Sequence, residues 1–141
     1  MMTTRAKMKL AVFTQFAKDL SGLSCCKRAQ VACIIFDERM TRVHAIGYNG
    51  QPAGIPHFNC TGEPGNCGCI HAEANAIAKL MTTEGGLILY CTTAPCIQCA
   101  GLIINTGRIA RVFYSTEYRD PRSLELFQLG KVICENLDQL S

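Results

Sequence analysis

Val31-Ala32-Cys33-Ile34-Ile35-Phe36 runs without one polar side chain. A strand with one wet face alternates apolar and polar residues, so an unbroken run of this kind reads as a strand buried on both faces. Leu87-Ile88-Leu89-Tyr90-Cys91 repeats the pattern. A sheet holding two such strands needs cover on both sides, and that requirement limits the chain to a few layered architectures.

The segments between these runs supply the cover. Residues 5–20 set Met8 or Leu10, Phe13, Phe16, Ala17 and Leu20 at three- and four-residue spacing, a helix that stops before Ser21-Gly22. The strand at Gln30–Phe36 turns through Asp37-Glu38-Arg39-Met40 into a second strand, Arg42–Tyr48, as a hairpin. Asn49–Gly68 is rich in glycine and proline and reads as a long loop, a length that compact domains reserve for function. A helix follows over His71–Met81, with Ala74, Ile77, Ala78 and Met81 on one side, and Gly85-Gly86 breaks the chain before the strand Leu87–Cys91. Thr93 is the expected N-cap and Pro95 the first-turn proline of a helix over Cys96–Asn105. Ile109–Tyr114 is a fourth strand. Asp120-Pro121 opens a helix carrying Leu124, Phe127 and Leu129, closed by Gly130, and Lys131–Cys134 is the last strand. The order predicts one α/β domain over residues 1–141, a three-layer α/β/α sandwich around a mixed five-stranded sheet.

Composition narrows the function. Of 141 residues, 48% are hydrophobic and 18% charged, a globular balance, and the net charge of +3 comes from scattered basic residues. No basic block is present to bind a nucleic-acid backbone unaided, although an anionic substrate is permitted. Leu10–Phe13 is too short for a signal-peptide core, and nothing approaches the roughly 20 apolar residues of a membrane span. The expected compartment is the cytosol, where the ten cysteines stay reduced and serve as metal ligands or core residues.

His71-Ala72-Glu73 and Pro95-Cys96-Ile97-Gln98-Cys99 carry the chemistry. His71, Cys96 and Cys99 offer zinc three ligands and leave a fourth position for water, the mark of a catalytic site. Both groups fall at expected helix starts, where partial positive charge favours thiolates. Glu73 is then a proton carrier beside the metal. A lone Cys-x-x-Cys is often a structural half-site or a redox pair. Joined to His-x-Glu and preceded by proline, it is the signature of zinc nucleobase deaminases.

Wider motifs extend this. Arg28-Ala29-Gln30-Val31, Gly47-Tyr48-Asn49-Gly50-Gln51-Pro52-Ala53-Gly54, Asn59-Cys60, the two zinc motifs, and Val112-Phe113-Tyr114 with Tyr118 and Asp120 resemble the deoxycytidylate (dCMP) deaminase family of the cytidine-deaminase superfamily, over about residues 8–133. The resemblance implies a cytidine deaminase-like fold and hydrolytic deamination of dCMP to dUMP, feeding thymidylate synthesis, with dCTP a substrate of some relatives. It implies a sugar contact from Asn49, a homohexamer, and dCTP and dTTP as effectors near the glycine-rich loop. Ala72 backbone at the base edge and Tyr118 over the sugar are positional expectations. Lys27, Arg28, Arg119 and Arg122 are candidates for the phosphate, and each has the alternative of a solvated charge. The rival readings are a cytidine or tRNA-adenosine deaminase and a zinc-stabilised module without chemistry. The second leaves Glu73 without a purpose.

Family members can carry a second, structural zinc, and the resemblance matches Cys25 and Cys60 to two of its ligands. The usual histidine-bearing insertion is missing here. Cys67 and Cys69 would complete a four-cysteine set; the alternative is ordinary buried cysteines. Cys33, Cys91 and Cys134 read as core, and His44 and His57 as plain hydrogen-bonded histidines.

Overall fold

The computed structural model describes residues 2–63, 66–117 and 120–140. Its elements are α1 (Thr4–Ser21), β1 (Ala32–Phe36), β2 (Val43–Tyr48), α2 (Ala72–Ala78), β3 (Leu87–Thr93), α3 (Ile97–Asn105), β4 (Ile109–Thr116), α4 (Arg122–Leu129) and β5 (Ile133–Asn136), with short 3₁₀ turns at His57–Asn59 and Leu137–Gln139. The five strands form one sheet in the order β2-β1-β3-β4-β5. β1 runs antiparallel to β2 and β3, whereas β3, β4 and β5 are parallel. The sheet is mixed, as expected.

The unbroken apolar runs now have their reason. Successive side chains of a strand point to opposite faces. Ile34 and Phe36 of β1 pack with Ile88, Tyr90 and Phe113 under Leu10, Ala17 and Leu20 of α1. Cys33 and Ile35 point the other way, joining Leu89, Cys91 and Val112 beneath Ala72 and Ala76 of α2, Ala100 and Ile103 of α3 and Phe127 of α4. Both layers are therefore covered, α1 on one side and three helices on the other. Among the described residues no helix is long and apolar enough to cross a membrane.

Tertiary pairing moves several boundaries. β3 continues past Cys91 because Thr93 pairs with Thr116 of β4, so Thr93 is not a helix cap. Cys96 takes that position, its sulfur accepting from the Cys99 N–H at 3.4 Å. α2 ends at Ala78, well short of Met81, which is 91% exposed; the β-branched Thr82-Thr83 and the diglycine beyond offer little helix propensity. Of the apolar residues carried by α4, Phe127 is buried and Leu129 is exposed at the helix end. On α1, Leu10 rather than Met8 is buried with Ala17 and Leu20, Phe16 is exposed, and the buried Thr14 has its hydroxyl satisfied by the Ala11 carbonyl at 3.0 Å.

Asp37 holds the β1–β2 hairpin. Its carboxylate accepts from Thr41 N–H at 2.7 Å, Arg42 N–H at 2.8 Å and Thr41 Oγ1 at 2.7 Å. Partial burial pushes its pKa up, but these donors outweigh burial and hold it below the ordinary carboxylate value. Asp37→Ala is expected to cost about 1–2 kcal/mol, since hydrogen bonds to charged groups contribute ~1.5–3 kcal/mol and this site is partly wet. Because the folded pKa is the depressed one, the stabilisation is present above the unfolded value near ~4 and is lost as pH falls through the folded value. Urea titrations at neutral pH and below pH ~4 check both: the difference between wild type and Asp37→Ala should shrink in acid.

Candidate functional site

One edge of the sheet gathers the chemistry. β1 is antiparallel to both neighbours, so its start lies beside the ends of β2 and β3. The long loop leaves β2 at Asn49 and returns to the same edge, closed by a two-residue bridge in which Gly50 and Ile70 exchange N–H···O bonds of 3.1 and 2.7 Å. His71 follows at once as the N-terminal flanking residue of α2, in extended backbone (φ −68, ψ 152), and Glu73 lies in the first turn. Asn75 Nδ2 donates to the Tyr48 carbonyl at 2.9 Å and ties α2 to the end of β2. From β3, Ala94 and Pro95 lead to Cys96 at the start of α3, with Cys99 one turn on.

The two helix starts converge. His71 Nδ1 lies 3.5 Å from Cys96 Sγ and 3.4 Å from Cys99 Sγ, and all three ligand atoms fall within 4.8 Å of one another. A tetrahedral zinc with Zn–N near ~2.0 Å and Zn–S near ~2.3 Å has an N···S edge of roughly 3.5 Å. The residues present fit that ion. A hydrogen bond from Cys99 pulls Cys96 down to about 4, with His71 and the Cys99 N–H assisting; sharing that proton pushes Cys99 up. The hydrogen bond to Cys96 raises His71. The protons that these ligand groups hold are what a divalent cation displaces on binding.

Glu73 is 4% exposed beside this triad, and burial pushes its carboxyl above the ordinary carboxylate value despite the opposing pull of its own backbone N–H and of His71. It lines a cavity with His71, Ala72, Cys96, Thr93 and Ala94, closed by Arg28, Ala29, Val31 and Asn49. A ligand-rich metal position, a protonatable buried carboxyl and a small enclosed space suit hydrolysis assisted by a general acid–base.

Asn49 lines the cavity, but much of its amide is committed to the backbone. Nδ2 donates to the Ala29 carbonyl at 2.7 Å, and Oδ1 accepts from the Val31 N–H at 2.8 Å. It has no positive φ, although an Asn-Gly pair in a turn often adopts one. Asn49→Ala is expected to cost about 2–3 kcal/mol in urea unfolding, because two backbone groups lose their partner at about 1–3 kcal/mol each when buried.

A second cluster lies under the loop. Cys26, Cys60, Cys67 and Cys69 bring their sulfurs within 4.8 Å of one another, with Cys26–Cys67 at 3.8 Å and Cys60–Cys26 at 3.9 Å. The S···S edge of a tetrahedral four-thiolate zinc is roughly 3.8 Å. The first ligand position therefore belongs to Cys26 and corrects the expectation of Cys25, which is exposed with its thiol toward the Leu23 carbonyl. Ser24 Oγ accepts from the Cys26 N–H at 3.2 Å, and with this local bond the Cys26 side chain is buried while that of Cys25 is exposed. The Lys27 N–H draws Cys60 down to about 6, whereas burial pushes Cys69 up to about 12.

Arg28 lies between the clusters, lining the Glu73 cavity and a neighbouring one with Cys67, Cys69, His71 and Cys99. Its Nε is buried without a hydrogen-bond partner among the described residues. Of the other basic candidates, Arg122 is paired with Asp120 at 2.6 Å, Lys27 is exposed, and Tyr118 and Arg119 lie outside the described residues. His44 pairs with Glu84 at 3.4 Å, and His57 opens an exposed 3₁₀ turn.

Comparison with known proteins agrees with this geometry. A family model described as the cytidine and deoxycytidylate deaminase zinc-binding region matches residues 7–116. The chain is 34% identical over 135 residues to a deoxycytidylate deaminase of Schizosaccharomyces pombe, covering 85% of this chain and 41% of that protein. It is 38% identical over 120 residues to the Saccharomyces cerevisiae deoxycytidylate deaminase, covering 76% of this chain and 37% of the relative. The chain thus spans well under half the length of these fungal relatives. The dCMP deaminase of cyanophage S-TIM5, solved in complex with dCMP and dUMP, superposes with a TM-score of 0.80 at 32% identity, covering 97% of this chain and 100% of that one. With the zinc-binding region matched from α1 to the end of β4, the chain belongs to the cytidine and deoxycytidylate deaminase family.

Proposed function

We propose that the chain is a single-domain hydrolytic deaminase of deoxycytidine nucleotides, converting dCMP to dUMP and, as a second substrate, dCTP to dUTP. The observation that carries this reading is the convergence of His71, Cys96 and Cys99 on zinc-sized edges beside the buried Glu73. The cyanophage enzyme, whose structure holds dCMP and dUMP, supports the choice of nucleotide.

His71, Cys96 and Cys99 would hold zinc, which when bound would supply the Lewis acidity that makes water a nucleophile near neutral pH. The chain's own residues do the rest. Glu73 takes one proton from the attacking water and gives it to the ring nitrogen, then carries the remaining proton of the added hydroxyl to the departing C4 amine as the carbonyl forms, so water and the cytosine nucleotide yield the uracil nucleotide and ammonia. Burial suits the carboxyl to this exchange because it brings the pKa nearer the working pH. The Ala72 backbone and the Thr93–Ala94 segment hold the base edge, Asn49 reaches the sugar, and Tyr118 closes over it. Arg28, which lines the cavity, takes the phosphate. A second, structural zinc on Cys26, Cys60, Cys67 and Cys69 fixes the loop that carries Asn49 and His71. By the family resemblance the working form is a cytoplasmic homohexamer controlled by dCTP and dTTP, supplying dUMP for thymidylate synthesis.

The test is ammonia release from dCMP, dCTP, cytidine and an adenosine-containing RNA, each with and without dCTP or dTTP as effector. Turnover of dCMP well above cytidine is expected. Absence of activity on every deoxycytidine nucleotide overturns the assignment. Metal analysis should return two zinc ions per chain; one would remove the four-cysteine centre from the account.

A further inference from the structure

Met8, Val12 and Phe16 of α1 are 57%, 65% and 40% exposed and stand four residues apart, a stripe of apolar side chains on the helix face turned away from the sheet. Arg5 and Asp19, both exposed, continue the stripe at its two ends. Among the described residues neither forms an ion pair within the chain. At 3.6 residues per turn, all five fall within roughly 80° of the helix circumference.

The stripe is self-complementary about Val12. Met8 and Phe16 lie about 6 Å to either side along the axis, and Arg5 and Asp19 about 10 Å. A second α1 laid antiparallel across it, with a two-fold axis at Val12, sets Val12 on Val12, Met8 on Phe16 and Arg5 on Asp19, the last two pairs each made twice. No like charges meet in this register: Lys7 falls opposite Ala17, Lys9 opposite Gln15 and Lys18 opposite Ala6. A parallel pair in register would instead set Arg5 on Arg5 and Lys9 on Lys9. Charge selects the antiparallel arrangement.

We infer that this face of α1 docks on the same face of a second copy of the chain, as an isologous antiparallel helix pair. The apolar side chains supply the attraction, and the two Arg5–Asp19 pairs fix direction and register. One helix pair buries less than the roughly 1,200 Å² of a stable interface, so the contact is concentration-dependent when it acts alone. The inference takes nothing from the proposed reaction.

Sedimentation velocity over a wide concentration series tests it, using wild type, Arg5→Glu, Asp19→Lys and an equimolar mixture of the two variants. Each variant alone sets like charges across the two-fold axis twice, and its mass should fall to half the wild-type value, whether a dimer parts into monomers or a hexamer into trimers. Mixing restores opposite charges at both pairs of a mixed dimer, and the wild-type mass should return. Circular-dichroism melts verify that the exposed substitutions leave the fold intact. Val12→Glu should also halve the mass, without rescue by mixing. A wild type that is monomeric throughout, either charge variant holding the wild-type mass, or a mixture that stays at half overturns the inference.

Discussion

Glu73→Gln is expected to keep its zinc and its melting temperature while losing turnover by a factor of about 10²–10⁴, the usual range for removing a general acid–base. Glutamine matches glutamate in shape and still hydrogen-bonds, so the packing beside Ala72 and Cys96 is undisturbed. It cannot take a proton from water and return it to the base. Among the described residues Glu73 is the one carboxylate lining the cavity, so no neighbour can stand in for it. Zinc per chain by atomic absorption, together with kcat and KM for dCMP, separates the outcomes. A loss confined to kcat with full metal content supports the proton-carrier role. Loss of metal would make Glu73 a ligand, and a normal rate would remove it from the chemistry. The contrasting variant is Cys96→Ser, which should lose zinc and activity together, since the hydroxyl is a far weaker ligand than a thiolate.

The parts of this centre that could be read from the sequence are those in which short spacing fixes geometry. His71 and Glu73 are two residues apart at a helix start, and Cys96 and Cys99 are one turn apart, so their mutual placement hardly depends on the rest of the fold. The strands were legible for a similar reason: burial of both faces of β1 and β3 leaves no polar position to blur the run. Other features are set by distant partners. The end of β3 is decided by Thr116, across the sheet on β4. The choice of Cys26 over Cys25 is decided by Ser24, which accepts from the Cys26 N–H and is itself anchored to the Asn49 carbonyl at 2.7 Å, at the end of β2. The choice of Leu10 over Met8 and the outward face of Phe16 are not decided by periodicity, because apolar residues surround most of α1 and spacing alone does not say which arc meets the sheet. In each case the missing information was a tertiary contact.

Among the described glycines, Gly47→Ala should be the most damaging addition of a single methyl group. A Cβ at Gly47 would lie 2.4 Å from the Ala72 carbonyl oxygen and 2.6 Å from the Ala76 nitrogen, both backbone atoms of α2. Backbone cannot rotate out of the way as a long side chain can, so α2 must move as a body. Overpacking of a core costs about 1–3 kcal/mol, and a clash with helix backbone belongs at or beyond the top of that range. The melting temperature should fall by on the order of 10 °C. Activity should suffer beyond what stability explains. α2 brings Glu73 and follows directly on His71, whereas Cys96 and Cys99 belong to α3, so pushing α2 off β2 opens the triad. A misplacement of about 1 Å can cost a factor of ~10² in rate. Zinc affinity measured against a competing chelator should drop in parallel. Gly101→Ala is the control: a Cβ there meets nothing within 4 Å, and a helix-interior alanine is expected to stabilise α3 by roughly 0.5–1 kcal/mol. If Gly47→Ala melts and binds zinc like wild type, the close approach of β2 and α2 is not what holds the two halves of the centre together.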